Sequence, residues 1–219
     1  MKVHRDIEQG APEWLALRAG WVTASCFGDI LAEGQGKTRA KYLRQIVAER
    51  LTGKTSESYR NHHMDRGIEQ EPMARMAYEA VTDNVLDRVA FIEHDELRVG
   101  CSPDSLVFGR RRGVEVKCVL PDIQVQTIER SGHPPEHKAQ IQGSMWITGY
   151  EEWDFVSYSP DMPTHLRTYI HTVKRDEPYI QALAVKVVTF LNEVDACITR
   201  LNASQQDVAA LLKKSLVAA

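Results

Sequence analysis

The segment GCSPDSLVFGRRRGVEVKCV, residues 100–119, decides how this chain is read. It carries Ser102-Pro103-Asp104, then a turn, then Glu115-Val116-Lys117. Side chains alternate faces along a strand, so Glu115 and Lys117 project to the same side. Two adjacent strands joined by the Arg-Gly turn can bring Asp104 beside Glu115. Converging carboxylates suit a hard divalent cation such as Mg²⁺ or Mn²⁺, and the Val116 carbonyl lies between them as a third oxygen donor. A lysine beside such an ion can hold or deprotonate a water and offset charge growing on a phosphate. A Glu-x-Lys pair on its own is usually a surface ion pair. Here the strand around it, Val-Glu-Val-Lys-Cys-Val, is otherwise apolar, and a carboxylate there is costly to bury without a partner or a metal.

Working outward, residues 85–93, 98–108 and 113–119 read as three successive strands, and 153–159 and 166–173 as two more. Helices are expected over 13–18, 24–31, 39–52 and 66–82, the second capped by Thr23 or Ser25. Another follows Pro134-Pro135 and is stopped by Gly149. A long helix opens at Asp176 and Pro178 and runs to roughly residue 200, and a last one covers roughly 203–216. The stretch GQGKT at 34–38 is a loop without phosphate-loop spacing. The pattern is α/β. With no repeat and no linker, it reads as one domain over 1–219: N-terminal helices 1–83, a sheet core 84–175 and C-terminal helices 176–219.

Composition narrows the class. The 219 residues are 43% hydrophobic and 26% charged, as in globular proteins. No apolar run approaches the ~18 residues a bilayer span needs. The N-terminal MKVHRDIEQGAPEW has no apolar signal core, so a cytoplasmic protein with no membrane partner is expected. Cys26, Cys101, Cys118 and Cys197 form no CxxC pair, which argues against a zinc knuckle or a disulfide framework. A net charge of −3 speaks weakly against nucleic-acid binding, but a cleft can be basic on an acidic protein. Two basic clusters, Lys37/Arg39/Lys41/Arg44 and Arg110/Arg111/Arg112, fit a phosphate-facing surface and a merely solvated one equally well.

Further motifs follow one another along the chain. They are Glu13-Trp14-x-x-x-Arg18, Val22-Thr23-Ala24-Ser25, Arg66-Gly67-x-x-x-Glu71-x-x-Ala74-Arg75, Cys101-Ser102-Pro103-Asp104, Glu115-Val116-Lys117-Cys118 and Ala139-Gln140-x-Gln142-x-Ser144-Met145-Trp146. In this order and spacing the chain resembles the phage lambda exonuclease family, the YqaJ-like viral recombinases of the PD-(D/E)XK nuclease superfamily. The resemblance implies a restriction-endonuclease-like fold, a mixed central sheet flanked by helices. It also implies a metal-dependent 5′-to-3′ exonuclease that degrades one strand of linear duplex DNA. Such an enzyme leaves a 3′ single strand for a single-strand annealing protein and works as a homotrimeric ring in a phage-infected or lysogenic bacterial cytoplasm.

The resemblance also implies roles. Asp104, Glu115 and the Val116 carbonyl hold one of two Mg²⁺ or Mn²⁺ ions, Lys117 orients the attacking water, and Glu71 approaches the second ion or its water. Gln140 contacts DNA near the site. Arg18, Ser25 and Ser102 bind the terminal 5′-phosphate, a guanidinium fork with two hydroxyls. Met64 stands where the family has an apolar wedge at the duplex end. Trp14 reads as a core residue. The chain departs from the pattern at His94, where the family has a metal-binding aspartate ten residues before the Ser-Pro-Asp aspartate. His94 is a candidate ligand through one imidazole nitrogen, with Asp95 and Glu96 beside it as substitutes. The alternatives to a ring-forming exonuclease are an endonuclease or repair nuclease of the same chemistry, and a DNA-binding protein with a degenerate site.

Overall fold

The expected strands of the middle region are shorter and more numerous in a computed structural model of the chain, which describes residues 1–32, 36–56 and 62–217. In chain order its elements are β1 (Lys2–His4), α1 (Pro12–Arg18), β2 (Val22–Thr23), α2 (Phe27–Leu31), α3 (Lys37–Thr52) and α4 (His62–Thr82). Then come β3 (Leu86–Asp87), β4 (Phe91–Glu93), β5 (Val99–Cys101), β6 (Ser105–Val107), β7 (Arg112–Cys118) and α5 (Pro121–Arg130). Last come α6 (Lys138–Thr148), β8 (Glu152–Tyr158), β9 (Thr168–Lys174) and α7 (Glu177–Val217).

Two of the three expected strands break in the middle. The run 98–108 divides into β5 and β6 around Ser102-Pro103-Asp104, where proline removes a ladder donor. The two halves join different sheets. One sheet has the order β1-β4-β5-β2, the other β3-β6-β7-β8-β9. Both are mixed: β2 runs parallel to β5 and β7 parallel to β8, while the remaining neighbours are antiparallel. Helices flank the sheets, which is the architecture expected. Helix α5 was not anticipated, because Pro121 at its first position and the polar run behind it resemble a loop. The two expected C-terminal helices are one, α7. The loop expected at 34–38 gives way to helix by Lys37, and residues 33–35 lie outside the described residues.

The central strand β7 is packed differently on its two faces. Val114 and Val116 face α4 and form a cluster with Ala74, Tyr78, Val107, Val156 and Tyr158. Glu115 and Lys117 point the other way. A larger core fills the space between the first sheet and α2, α3, α6 and α7, around Phe27, Ile46, Ile141, Met145 and Phe190. Buried Asp154 clamps the second sheet. It accepts Tyr78 Oη at 2.6 Å and Thr172 Oγ1 at 2.6 Å, with Arg112 at 3.3 Å. Among the described residues no helix is long and apolar enough to cross a membrane.

Part of each basic cluster serves the fold, while Lys37, Lys41, Arg44 and Arg110 are exposed. Arg39 forms a two-pronged ion pair with Glu193, at 2.7 and 3.0 Å. Arg111 donates to the Gly149 carbonyl, and Arg112 pairs with Glu152 and Asp154.

Strand β7 can lie this close to β8 because Gly113 stands over the Trp153 ring. A Cβ at Gly113 would meet Trp153 Cη2 at 2.4 Å. Trp153 is fully buried, so it has little room to give. Gly113→Ala is expected to destabilise the protein by about 1–3 kcal/mol, as overpacking does in a filled core, and an unchanged midpoint in chemical unfolding would show that the ring can move.

Candidate active site

The site begins where β6 ends. Ser105 pairs with Val114, so the same antiparallel register sets Asp104 opposite Glu115 and Pro103 opposite Val116. Pro103 has no N–H to offer the Val116 carbonyl. The Val116 N–H turns instead to Asp104 Oδ2, at 2.6 Å. In a strand, a residue's N–H and C=O point to the same side, so the Val116 carbonyl is aimed toward Asp104 as well.

Glu115 is 2% exposed. Its Oε1 accepts both Lys117 Nζ at 2.6 Å and Gln140 Nε2 at 2.6 Å. Gln140 reaches it from α6, and the helix start is set by the Pro134-Pro135 pair upstream. Among the described residues, no hydrogen bond reaches Asp104 Oδ1 or Glu115 Oε2. Burial raises the Asp104 pKa well above the usual carboxylate range, and the like charges of Glu115 and Glu71 add to this against Lys117 and the Val116 N–H. Burial opposes the charge on Lys117, but Glu115 and Asp104 outweigh it and raise the amine above an ordinary lysine. Near it, His137 stacks on Phe155 with ring centroids 5.5 Å apart. Its own burial, and then the Lys117 charge, push its pKa down to about 4, so it is neutral at working pH.

The donor set fits a hard divalent cation. Two carboxylates each keep a free oxygen, they repel one another while both are ionised, and a carbonyl without a ladder donor lies between them. No group of three or more His, Cys, Asp or Glu arranged to hold a metal occurs among the described residues, so the carbonyl is needed to complete the set. Glu71 is close enough for its charge to act on both Asp104 and Lys117, but its carboxylate is paired with Arg75 one helical turn on.

His94 is not part of this arrangement, which corrects the expectation from sequence. It sits in the β4–β5 turn, where its Nδ1 accepts the backbone N–H groups of Glu96 at 3.2 Å and Leu97 at 3.3 Å. Its ring lies 5.2 Å from that of Trp146. Burial lowers its pKa, and the charges acting on it are those of Asp95, Glu96 and the N-terminal amine. Asp95, the neighbouring substitute, pairs with that amine. The residue ends a hairpin in the first sheet, whereas Asp104 opens a strand of the second. That separation came with the break at Pro103.

A cleft of 1330 Å³ runs from Asp104, Glu71 and Arg75 to Arg18, Thr23 and Ser25. The Arg18 guanidinium lies over the Trp14 ring, 3.9 Å from its centroid. Its Nε is buried and has no hydrogen-bond partner among the described residues, and burial lowers the arginine's pKa. Ser25 is exposed on the same wall, with Thr23 Oγ1 at 3.2 Å. Ser102 lies behind it. Its hydroxyl donates to the Ala90 carbonyl at 2.8 Å and accepts Trp14 Nε1 at 3.2 Å. The structure thus brings Arg18 and Ser25 together and places Ser102 in support. Trp14, expected in the core, is the platform for Arg18. The side chain of Met64 lies outside the described residues. Gln9, which the sequence does not mark, donates to the Val89 carbonyl at 2.8 Å and the Pro103 carbonyl at 2.9 Å, tying the N-terminal segment to the turn that carries Asp104.

Two sheets flanked by helices, with Asp104, Glu115 and Lys117 on a strand pair, define a protein of the restriction-endonuclease fold class. Residues 13–151 match the YqaJ-like viral recombinase domain, and the chain belongs to that family. A crystal structure of an alkaline exonuclease from Laribacter hongkongensis, LHK-Exo, is 32% identical and superposes with a TM-score of 0.84 over 90% of this chain and 100% of that one. A complex of LHK-Exo with dAMP matches over the same shares at 33% identity and TM-score 0.84. A phage-related exonuclease from Haemophilus somnus shares the fold, at 16% identity and TM-score 0.63, over 83% of this chain and 96% of its own. The putative uncharacterized protein ExoD of Escherichia coli K12 is 29% identical over 65 residues, 30% of this chain and 74% of that protein.

The raised pKa of Asp104 gives a pH test in metal-free protein. Asp104 holds its proton more tightly folded than unfolded. The stabilisation this gives is complete below the ordinary carboxylate range and is lost as pH rises through the raised folded value. Glu115→Gln removes the like charge, so the Asp104 titration midpoint should move down. Carboxyl NMR titration reads this directly, and an unmoved midpoint would mean that the two carboxylates do not converge.

Proposed function

We propose that this protein is a DNA exonuclease that hydrolyses one strand of linear duplex from its 5′ end. The observation that carries the reading is the cleft, with two carboxylates and a lysine at one end and, at the other, an Arg18 guanidinium that forms no ion pair among the described residues. The family and the likeness to LHK-Exo support it. Asp104, Glu115 and the Val116 carbonyl would hold Mg²⁺ or Mn²⁺, with Glu71 positioned toward a second ion. The ions would supply charge neutralisation at the scissile phosphate and activation of water. Lys117, charged and held by Glu115, orients that water and offsets charge growing on the phosphate. Water oxygen bonds to phosphorus, the bond from phosphorus to the 3′ oxygen breaks, and that oxygen takes up a proton. Gln140 fixes the Glu115 carboxylate, and through it the lysine.

Arg18 and Ser25 are the anchor for the terminal 5′-phosphate. Each cleavage leaves a new 5′-phosphate on the remaining strand, so the product of one turnover presents the handle for the next. A ring of three subunits around the duplex and an annealing protein receiving the 3′ strand complete the reading.

Lys117→Ala should lower the rate on linear duplex by a factor of about 10² or more, the loss typical of a group acting in the transition state. Duplex affinity, read by fluorescence anisotropy, should stay near wild type, and the variant should remain folded by circular dichroism. Digestion at close to the normal rate would remove Lys117 from the chemistry.

Arg18→Ala tests the anchor. A charge-assisted phosphate contact is worth about 1.5–3 kcal/mol, so the variant should lose roughly 10- to 100-fold in kcat/KM on 5′-phosphorylated duplex. It should lose far less on 5′-hydroxyl duplex, and equal losses on both would make Arg18 structural.

A further inference from the structure

The cleft does not stop at Arg18. Beyond it the wall is formed by Tyr42, Gln45, Glu49, Thr55 and Ser56. None of these is a cation; the basic residues lining the cleft, among those described, are Arg5, Arg18, Arg75 and Arg88. Arg5 and Arg75 are held by Asp87 and Glu71.

Glu49 is 5% exposed, and no step of the hydrolysis uses it. Its Oε2 accepts the Gly20 N–H at 3.0 Å, and its Oε1 accepts the Ser56 N–H at 3.0 Å and Gln45 Nε2 at 3.0 Å. All three donors are neutral. Glu49 has no ion-pair partner among the described residues, so its charge is solvated by amides but not cancelled. The bond to Gly20 sets it two residues along the chain from Arg18, and its charge is among those acting on that guanidinium. Gly20 is required there: its φ is +71°, and a Cβ would meet Arg50 Cγ at 2.6 Å. The carboxylate is therefore built into the position behind the anchor.

A 5′-terminal phosphate on Arg18 sends no chain beyond itself. A strand that continued in the 5′ direction would bring its next phosphate toward Glu49, on a stretch of wall that carries no cation among the described lining residues. We propose that Glu49 is the specificity-determining residue that ends the substrate path, admitting a terminal phosphate at Arg18 and rejecting a strand that runs past it. This inference rests on Arg18 as the phosphate anchor. It explains in charge terms why a site able to cut any phosphodiester acts at chain ends.

The test compares kcat/KM of the full chain with Mg²⁺ on three linear duplexes. Their 5′ ends carry a phosphate, a hydroxyl, or a phosphate extended by two abasic phosphodiester linkages. Wild type should disfavour the extended end, and Glu49→Gln, which removes the charge and one acceptor, should raise use of the extended end relative to the simple phosphate about tenfold. An unchanged ratio between those two ends, in a variant that melts like wild type, overturns the proposal while leaving the anchor standing. Failure of wild type to prefer phosphate over hydroxyl overturns the anchor and the proposal with it. Should the variant misfold, wild type alone decides. Discrimination against the extended end should narrow as salt rises from roughly 50 to 300 mM and screens the repulsion, and a ratio that stays flat or widens overturns the gate.

Discussion

Strand β6 stops one residue too early for its partner, and the hydrogen bond that makes good the shortfall organises the molecule. Pro103 has no N–H to give the ladder and its carbonyl accepts Gln9, so the Asp104 side chain takes the Val116 N–H. This one contact turns the frayed end of a strand pair into a fixed corner. Asp104 is held beside Glu115, the Val116 carbonyl is left without a ladder donor, and β5 is released to build the other sheet. The corner is electrostatically unfavourable by itself, because two carboxylates meet in a half-buried place. Lys117 and Gln140 both attach to Oε1 of Glu115 and ease that conflict without using its Oε2.

The rest of the fold divides around that corner. Helix α4 closes the apolar face of β7 and carries Glu71 and Arg75 to the cleft, while α6 approaches the polar face and delivers Gln140. The buried network on Asp154 ties β8 to α4 and β9 by two hydroxyl donors and an arginine. Helix α4 therefore cannot shift against β8 without taking the Tyr78 hydroxyl from a buried carboxylate, which is costly.

Much of this is visible in the amino acids. Glu115 in an apolar strand, two residues from Lys117 and one turn after Asp104, announces a site through the cost of burying charge. The mixed sheet and its helices follow from periodicity. What stayed hidden depends on contacts between distant segments. His94 stands at the right sequence distance from Asp104, but distance along the chain does not show that a proline sends the two residues into different sheets. Trp14 looks apolar and is half platform, because only the folded chain shows a guanidinium lying on its ring. Glu49 sits in an amphipathic helix among other charges, and nothing local marks it as the buried one. Helix α5 was lost to its proline, which starts the helix at a position where proline is well suited.

Gly113, pressed against Trp153, has a consequence for how such a chain can diverge. The contact pins the register of β7 on β8 at one point, and side chains in a strand swap faces with every one-residue slip. An insertion between Gly113 and Lys117 would send Glu115 toward the valines packed under α4 and bring a valine to the cleft. The turn from Phe108 to Arg111, with Gly109 at φ +69°, lies outside that constraint. Length variation among descendants of this sequence should accumulate in the hairpin tip, while the five residues from Gly113 to Lys117 keep their count.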